Sequence, residues 1–162
     1  MAQMQAPPRE IPSNDNGYFE VLTKSVFQTG LSWAVVNNKW PGFTEAFDGF
    51  DIDTVADFGP DDEERLVVDT RIVRNGRKIA ATIANARKMQ ELIAQHGSMG
   101  EWLGTTENLP WPDRKAAVAK EFSNFGPLGA YIFLWSVGEA VPEHELESSW
   151  TTAVPLDGSL RH

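Results

Sequence analysis

The stretch Phe27-Gln28-Thr29-Gly30-Leu31-Ser32-Trp33 is an apolar and aromatic run that one glycine interrupts, and Ala34-Val35-Val36 continues it. A glycine between two apolar runs lets the backbone turn or approach a ligand closely, because it carries no Cβ. We therefore expect one helix from about Tyr18 to Gln28 and a second that begins near Ser32. At the junction we expect the hydrophobic core and the chemistry of the protein to meet.

Helical patterns continue along the chain, and no stretch alternates with period two for long, so the sequence predicts an all-α fold. The longest pattern lies between Arg77 and Gln95, where neither Gly nor Pro intervenes. Phe43, Phe47 and Phe50 recur at near-helical spacing and are expected in the core. Further helices are expected after Gly59-Pro60, from Arg114 to Phe122 with Asp113 as its cap, and from Gly129 to Val137, whereas Trp40-Pro41-Gly42 is expected to turn and the segment from Gly97 to Asp113 to be mostly connection.

Length and composition fit one globular domain. Residues 1–14 contain three prolines without periodicity and are expected to form a flexible tail, and 15–162 are expected to form a single helical domain. No apolar run approaches the length of a membrane span, so no membrane partner is expected. The sequence of 162 residues holds no cysteine, which excludes disulfides and favours an intracellular, cytoplasmic location.

The formal net charge of −9 counts against a nonspecific nucleic-acid binder, because Lys and Arg supply most of that affinity. The charge is uneven, however. No acid occurs from Thr70 to Gln90, and this interval holds six bases: Arg71, Arg74, Arg77, Lys78, Arg87 and Lys88. These bases are either a site for phosphate groups or a solvated helix face balanced by the acids at 61–64. The acidic remainder of the surface is a possible docking site for a protein partner.

The segment from Gln28 to Trp33 resembles the signature of the type I DNA-3-methyladenine glycosylases. Other segments are similar in the same order, so that the resemblance covers roughly residues 18 to 144. It implies a single-domain helix-hairpin-helix glycosylase-like fold. It also implies base-excision repair, in which the glycosidic bond of an alkylated purine such as 3-methyladenine is hydrolysed in damaged double-stranded DNA. The further matching segments are 43–51, 64–66, 72–75, 77–79, 83–87, 125–127, 130–131 and 137–138.

The resemblance also implies roles for particular residues. Trp33 matches the aromatic wall on which the extruded base stacks, and Gly30 and Leu31 match the wedge that fills the gap in the duplex. Without the resemblance, a Trp or Leu beside an apolar run is more often part of the core. Gln28 is either a polar group of the pocket or a helix cap. The expected phosphate-binding residues are Arg71, Arg74, Arg77, Lys78 and the hairpin backbone between Gly126 and Gly129, although such a loop is more often a plain connection.

Two features depart from the family. Ser25 stands where the family carries a pocket glutamate, and a hydroxyl cannot supply the negative charge that favours a cationic base. Glu20 lies more than one helical turn away and is not expected to replace it. The family also closes its termini with zinc on two cysteines and two histidines. Because this sequence has no cysteine and its histidines, His96, His144 and His162, are far apart, we expect neither zinc nor another cofactor.

Three functions are consistent with these residues. The first is a zinc-free N-glycosylase. The second is a module on the same scaffold that binds a DNA lesion without catalysis. The third is a protein-interaction domain that no longer binds DNA. Its main arguments are the net charge of −9 and the run 119–124 before the expected hairpin, which has one base and one acid where the family resemblance implies a Lys/Arg-rich run.

Overall fold

A computed structural model describes residues 8–142. Every regular element in that range is helical, which confirms the all-α prediction. No helix in the range is long and apolar enough to cross a membrane. The helices are α1 (Asp15–Gln28), α2 (Trp33–Ala46), α3 (Ile52–Ala56), α4 (Pro60–Val67), α5 (Gly76–His96), α6 (Met99–Gly104), α7 (Trp111–Ala119) and α8 (Pro127–Ser136), with a 3-10 turn at Asp48–Phe50.

Helix α1 is the central element of the fold. It begins where the side chain of Asn14 accepts a hydrogen bond from the Gly17 amide at 2.9 Å, as an N-cap should. It contacts α2, α3, α5, α6 and α8. Because apolar residues occur on several of its faces, it can be surrounded by other helices rather than lie on the surface. Its buried residues are Tyr18, Phe19, Leu22, Thr23, Ser25, Val26, Phe27 and Gln28.

The expectation that Trp40-Pro41-Gly42 forms a turn is wrong, because these residues lie inside α2. A proline inside a helix removes a hydrogen bond and costs about 3 kcal/mol. Aromatic packing offsets this cost: the ring of Trp40 stacks on Phe43 and on Phe50, with centroid distances of 4.7 and 5.2 Å. Phe43, Phe47 and Phe50 are all buried, as their spacing predicts.

Helix α5 confirms the longest periodic pattern. The side chain of Asn75 accepts a hydrogen bond from the Lys78 amide at 3.1 Å and so caps its start. Its buried face packs mainly on α3. The guanidinium of Arg87 donates to the carbonyls of Ala56 and Phe58, each at 2.8 Å, and thereby ties α5 to the end of α3. Arg87 therefore has a structural partner within the fold.

The C-terminal half differs in detail from its sequence expectations. The segment expected to be mostly connection contains α6, which Ser98 caps and which buries Met99, Trp102 and Leu103. Six residues are too few to show a clear period. Helix α7 starts before Asp113, because Pro110 precedes it and Pro112 occupies its first turn, where proline fits well. Helix α8 is buried from Gly129 to its end, as its apolar sequence predicts.

Residues 8–14 of the expected N-terminal tail run along α8. The amide of Glu10 donates to the carbonyl of Ser136 at 2.9 Å, and Arg9 donates to the carbonyls of Trp135 and Glu139. The expected division into a tail of 1–14 and a domain of 15–162 stays a prediction, because 1–7 and 143–162 lie outside the described residues.

Gly42 permits a close backbone contact, and its replacement tests the placement of α2. A Cβ at this position would overlap the carbonyl oxygen of Arg71. Gly42→Ala should therefore lower the free energy of unfolding by about 1–3 kcal/mol, as measured by urea denaturation. Gly104→Ala is the matched control, because a Cβ there meets no atom within 4 Å. Equal stability of both variants would contradict the contact between α2 and Arg71.

Candidate functional site

The junction predicted around Gly30 is present. Helix α1 ends at Gln28, and Gly30 adopts a φ of 79°, in the left-handed region that favours glycine. The hydroxyl of Ser32 then accepts a hydrogen bond from the Val35 amide at 3.3 Å and caps α2. Gly30 is exposed and Leu31 is half-buried. The turn therefore presents its glycine to solvent and sets Trp33 at the first position of α2.

The side chain of Lys78 binds the backbone at this junction. Its ammonium donates to the carbonyls of Val26 and Thr29, at 2.6 and 3.0 Å, and lies 3.3 Å from the Thr29 hydroxyl. These carbonyls belong to the end of α1, where the last C=O groups lack partners in the helix and the dipole favours a cation. Burial lowers the pKa of Lys78. The side chain is only 7% exposed and its ammonium is bound at the end of α1, so these contacts give Lys78 a structural role, while phosphate binding by Lys78 stays a prediction.

Trp33 lies in a small aromatic and aliphatic cluster between α2 and α8. Its buried partners are Tyr131, Ile132 and Trp135. Trp111 of α7 packs against the same cluster, with its ring perpendicular to that of Tyr131 at a centroid distance of 6.1 Å. Trp33 is 7% exposed, so its indole is packed against α8 in the interior and is not a free surface ring, and its role as the wall of a base pocket stays a prediction.

Three polar positions of α1, Glu20, Ser25 and Gln28, have different surroundings. Ser25 is 1% exposed, and its hydroxyl donates to the Val21 carbonyl of the preceding turn at 2.9 Å. Gln28 is buried as the last residue of α1. Glu20 accepts a hydrogen bond from the indole nitrogen of Trp40 at 2.9 Å. Glu20 therefore has a structural partner on α2, and the expectation that it does not replace the family's glutamate stays a prediction.

Lys24 extends the contact around Trp40. Its ammonium lies 5.4 Å from the centre of the Trp40 ring, within the range of a cation–π interaction. Burial lowers the pKa of Lys24, and the carboxylate of Glu20 opposes that shift. Glu20 and Lys24 of α1 therefore both contact Trp40 of α2.

The basic loop, residues 71–77, leads into α5 and includes its first two residues. One of its arginines is paired with carboxylates of the described chain and two are not. Arg71 bonds to the carboxylate of Asp69 at 2.7 Å and lies 3.5 Å from Glu45. The hydrogen bond to Arg71 holds the pKa of Asp69 below its ordinary value. Arg74 and Arg77 are exposed, and no carboxylate among residues 8–142 forms an ion pair with either. These two arginines are therefore the best placed of the predicted group to meet an anion.

The expected hairpin corresponds to α7, α8 and the connection between them, although the helix-hairpin-helix motif itself stays a prediction. Gly126 is exposed and precedes the first residue of α8. Gly129 is buried, and a Cβ there would lie 2.9 Å from the ring of Phe125. Close packing against Phe125 therefore explains why residue 129 is a glycine, whereas Gly126 lies at the surface. Phosphate binding by the hairpin backbone stays a prediction.

Asn85 was not anticipated from the sequence. Its side chain accepts from the Ser123 amide at 2.7 Å and donates to the Ser123 carbonyl at 3.3 Å. It fixes the connection between α7 and α8 against α5. A lone asparagine on an amphipathic helix gives no signal of such a contact, because its partner is distant in the sequence.

A cavity of about 560 Å³ lies between the segment that precedes α7 and the residues that follow α8. Trp111, Arg114 and Glu139 are among its lining residues. Arg114 is 5% exposed and pairs with the Glu139 carboxylate at 2.6 Å. Glu139 also acts on Tyr18 of α1. Burial raises the pKa of Tyr18, and the negative charges of Glu139 and Asp15 raise it further. The sequence did not indicate this polar cluster, because its members come from separate helices.

The family's zinc site does not fit this chain. No group of three or more His, Asp or Glu that could hold a metal occurs within the described part of the chain. Its two cysteine ligands have no counterpart anywhere in the sequence. His144 and His162 lie outside the described residues.

Comparison with solved structures defines the class of protein. A crystal structure of 3-methyladenine DNA glycosylase I (TAG) superimposes with a TM-score of 0.71 and 25% identity, over 80% of this chain and 81% of that one. A solution structure of 3-methyladenine DNA glycosylase I gives a TM-score of 0.67 and 25% identity, over 96% and 89% of the two chains. The fold is thus the helical fold of these glycosylases.

Comparison of sequences defines the family. The family model of the methyladenine glycosylases matches residues 10–121, and the chain belongs to this family. The DNA-3-methyladenine glycosylase 1 of Escherichia coli (strain K12) is 40% identical over 78 residues, which are 48% of this chain. The match spans 42% of the length of that relative.

Removal of the Lys78 ammonium tests its role at the junction. Lys78→Met keeps the aliphatic stem but leaves the carbonyls of Val26 and Thr29 without this donor. The free energy of unfolding should fall by about 1–3 kcal/mol in urea denaturation. Arg77→Met is the control and should stay within about 0.5 kcal/mol of the parent, because Arg77 is exposed. A Lys78→Met variant as stable as this control would show that the contact contributes nothing.

Proposed function

We propose that this protein is a monofunctional DNA N-glycosylase of base-excision repair, which acts in the cytoplasm and releases an alkylated purine such as 3-methyladenine from duplex DNA. The observation that carries the proposal is the Gly30–Leu31 turn set directly before Trp33, with Arg74 on the loop that leads into α5 and Arg77 in the first turn of α5. The names of the relatives support the same activity. We propose that the protein needs no cofactor.

The proposed mechanism begins with extrusion of the base. Unstacking a base costs a few kcal/mol, and the enzyme must hold it between aromatic or apolar walls. Leu31 would enter the gap in the duplex while the base stacks on Trp33. Stacking of a cationic base on an indole contributes about 2 kcal/mol when water is excluded. Arg74 and Arg77 would hold the phosphate backbone beside the turn.

The chemical step would be direct hydrolysis by water. A covalent intermediate needs a lysine amine free to attack the sugar. The ammonium of Lys78 reaches the residue before the turn, but it is bound there to the backbone carbonyls of Val26 and Thr29 at the end of α1. A base that already carries positive charge is a good leaving group and does not need a strong acid. The substitution of Ser25 for the family's glutamate is compatible with such a labile substrate.

A lesion-binding module without catalysis is the second candidate. One observation favours it: the Ser25 hydroxyl is donated to the Val21 carbonyl, so the family's acidic position offers the base neither charge nor a free proton. Such a module would bind duplex DNA with an abasic gap more tightly than intact duplex. It would release no base.

Release of free base from methylated duplex DNA tests the enzyme. Under single-turnover conditions with the protein in excess, we expect 3-methyladenine to be released by the parent protein and not by Trp33→Ala. Val35→Ala, an exposed position in the first turn of α2, should release base at the parent rate. Circular dichroism confirms that each variant is folded. If the folded parent releases no methylated base, the lesion-binding module is the better description.

The arginines of the basic loop can be tested separately by DNA affinity. Arg74→Ala should weaken binding to damaged and intact duplexes alike, and should reduce the slope of log K against log salt by about 1. Arg65→Ala is the control, since Arg65 is exposed but pairs with Asp62 at 3.4 Å. Titrations by fluorescence anisotropy at several salt concentrations measure both slopes. If the slope of log K against log salt for Arg74→Ala equals that of the parent, Arg74 does not contact DNA phosphate.

A further inference from the structure

The N-terminal segment is bound to the end of α8 by a set of backbone contacts. One terminal nitrogen of Arg9 donates to the Trp135 carbonyl at 2.6 Å, and the other donates to the Glu139 carbonyl at 2.8 Å. The amide of Glu10 donates to the Ser136 carbonyl at 2.9 Å. The last carbonyls of a helix lack partners inside the helix. Residues 9 and 10 donate to the carbonyls of Trp135 and Ser136 in the last turn of α8 and to the carbonyl of Glu139 beyond it; the Trp135 carbonyl also accepts from the Gly138 amide.

Side-chain packing reinforces the same contact. The guanidinium carbon of Arg9 lies 4.4 Å from the centre of the Trp135 ring. Gly138 turns the chain after α8 with a φ of 89°. A Cβ on Gly138 would lie 2.7 Å from Cγ1 of Ile11, so glycine is needed there for both conformation and space.

A buried ion pair connects α7 to this region. The guanidinium of Arg114 donates to the Glu139 carboxylate at 2.6 Å, to the Thr106 hydroxyl at 3.0 Å and to the Leu103 carbonyl at 3.4 Å. Glu139 thus binds Arg9 through its carbonyl and Arg114 through its carboxylate. The N-terminal segment, α7 and the end of α8 all meet at this one residue.

We infer that Arg9 and the Arg114–Glu139 ion pair close the N-terminal segment onto α8 without a metal, in place of the zinc closure of the termini that the family resemblance implies. The cysteines of that closure are absent from the sequence, while the described N-terminal segment is nonetheless anchored. A bidentate guanidinium suits this task, because its fixed fork reaches two carbonyls at once. The closure contacts Trp135, which belongs to the same buried cluster as Trp33. It does not depend on whether the protein is a glycosylase.

Hydrogen exchange at the Glu10 amide tests the closure in the full-length protein. Arg9→Met keeps an aliphatic stem near Trp135 but removes both charged hydrogen bonds. The Glu10 amide should then exchange at least about tenfold faster, since hydrogen bonds from charged donors commonly contribute that much protection. In Arg9→Lys, which keeps the charge but not the forked guanidinium, the Glu10 amide should exchange at a rate between those of the parent and Arg9→Met. Lys120→Met, at an exposed position, should exchange as the parent does.

Metal dependence is tested on the same proteins by thermal unfolding with excess zinc or with a chelator. We expect the Tm of the parent to be the same in both, and the Tm of Arg9→Met and of Glu139→Gln to be lower in both. Two results would overturn the inference. One is a parent Tm that zinc raises and the chelator lowers. The other is a Glu10 amide whose exchange is the same in the parent and in Arg9→Met.

Discussion

The hydrogen bonds from Lys78 to the end of α1 are the contact on which the candidate site depends. They join the start of α5 to the turn that contains Gly30 and Leu31. Arg74 and Arg77 lie beside Lys78 in the chain, so the same contact places the exposed cations near the turn. A buried ammonium bound only to neutral oxygens is costly, and the lowered pKa of Lys78 reflects that cost. The contact thus sets the position of the first turn of α5, which carries Arg77, relative to the turn at Gly30.

The sequence predicted those parts of the fold whose signal is local. Gly30 and Ser32 marked the end of one helix and the start of another, and the long pattern after Arg77 predicted α5. The turn expected at Pro41 was wrong, because the packing of Trp40 against Phe43 and Phe50 outweighs the local preference of proline. Long-range packing of this kind is not visible in a local pattern.

Prediction of the site was limited for the same reason. The short motif singled out Trp33, and the structure buries it in a cluster with residues of α8, while its role in the site stays a prediction. Lys78 was expected to bind phosphate because its sequence neighbours are basic, yet its partners are Val26 and Thr29, far away in the chain. The pairing of Arg114 with Glu139 depends on how α7 packs against α8, and neither residue stands out in the sequence.

The hydrogen bond of Ser25 has an evolutionary consequence. Its hydroxyl is satisfied by Val21 within the same helix, so the bond ties position 25 to no other helix. The side chain at this position can therefore change without breaking a hydrogen bond between helices, provided that the new side chain fits the volume and that any buried charge finds a partner. Chemistry at the base and stability of the scaffold can then diverge separately. An ancestor with an acid at this position and a descendant with a hydroxyl can thus share one core.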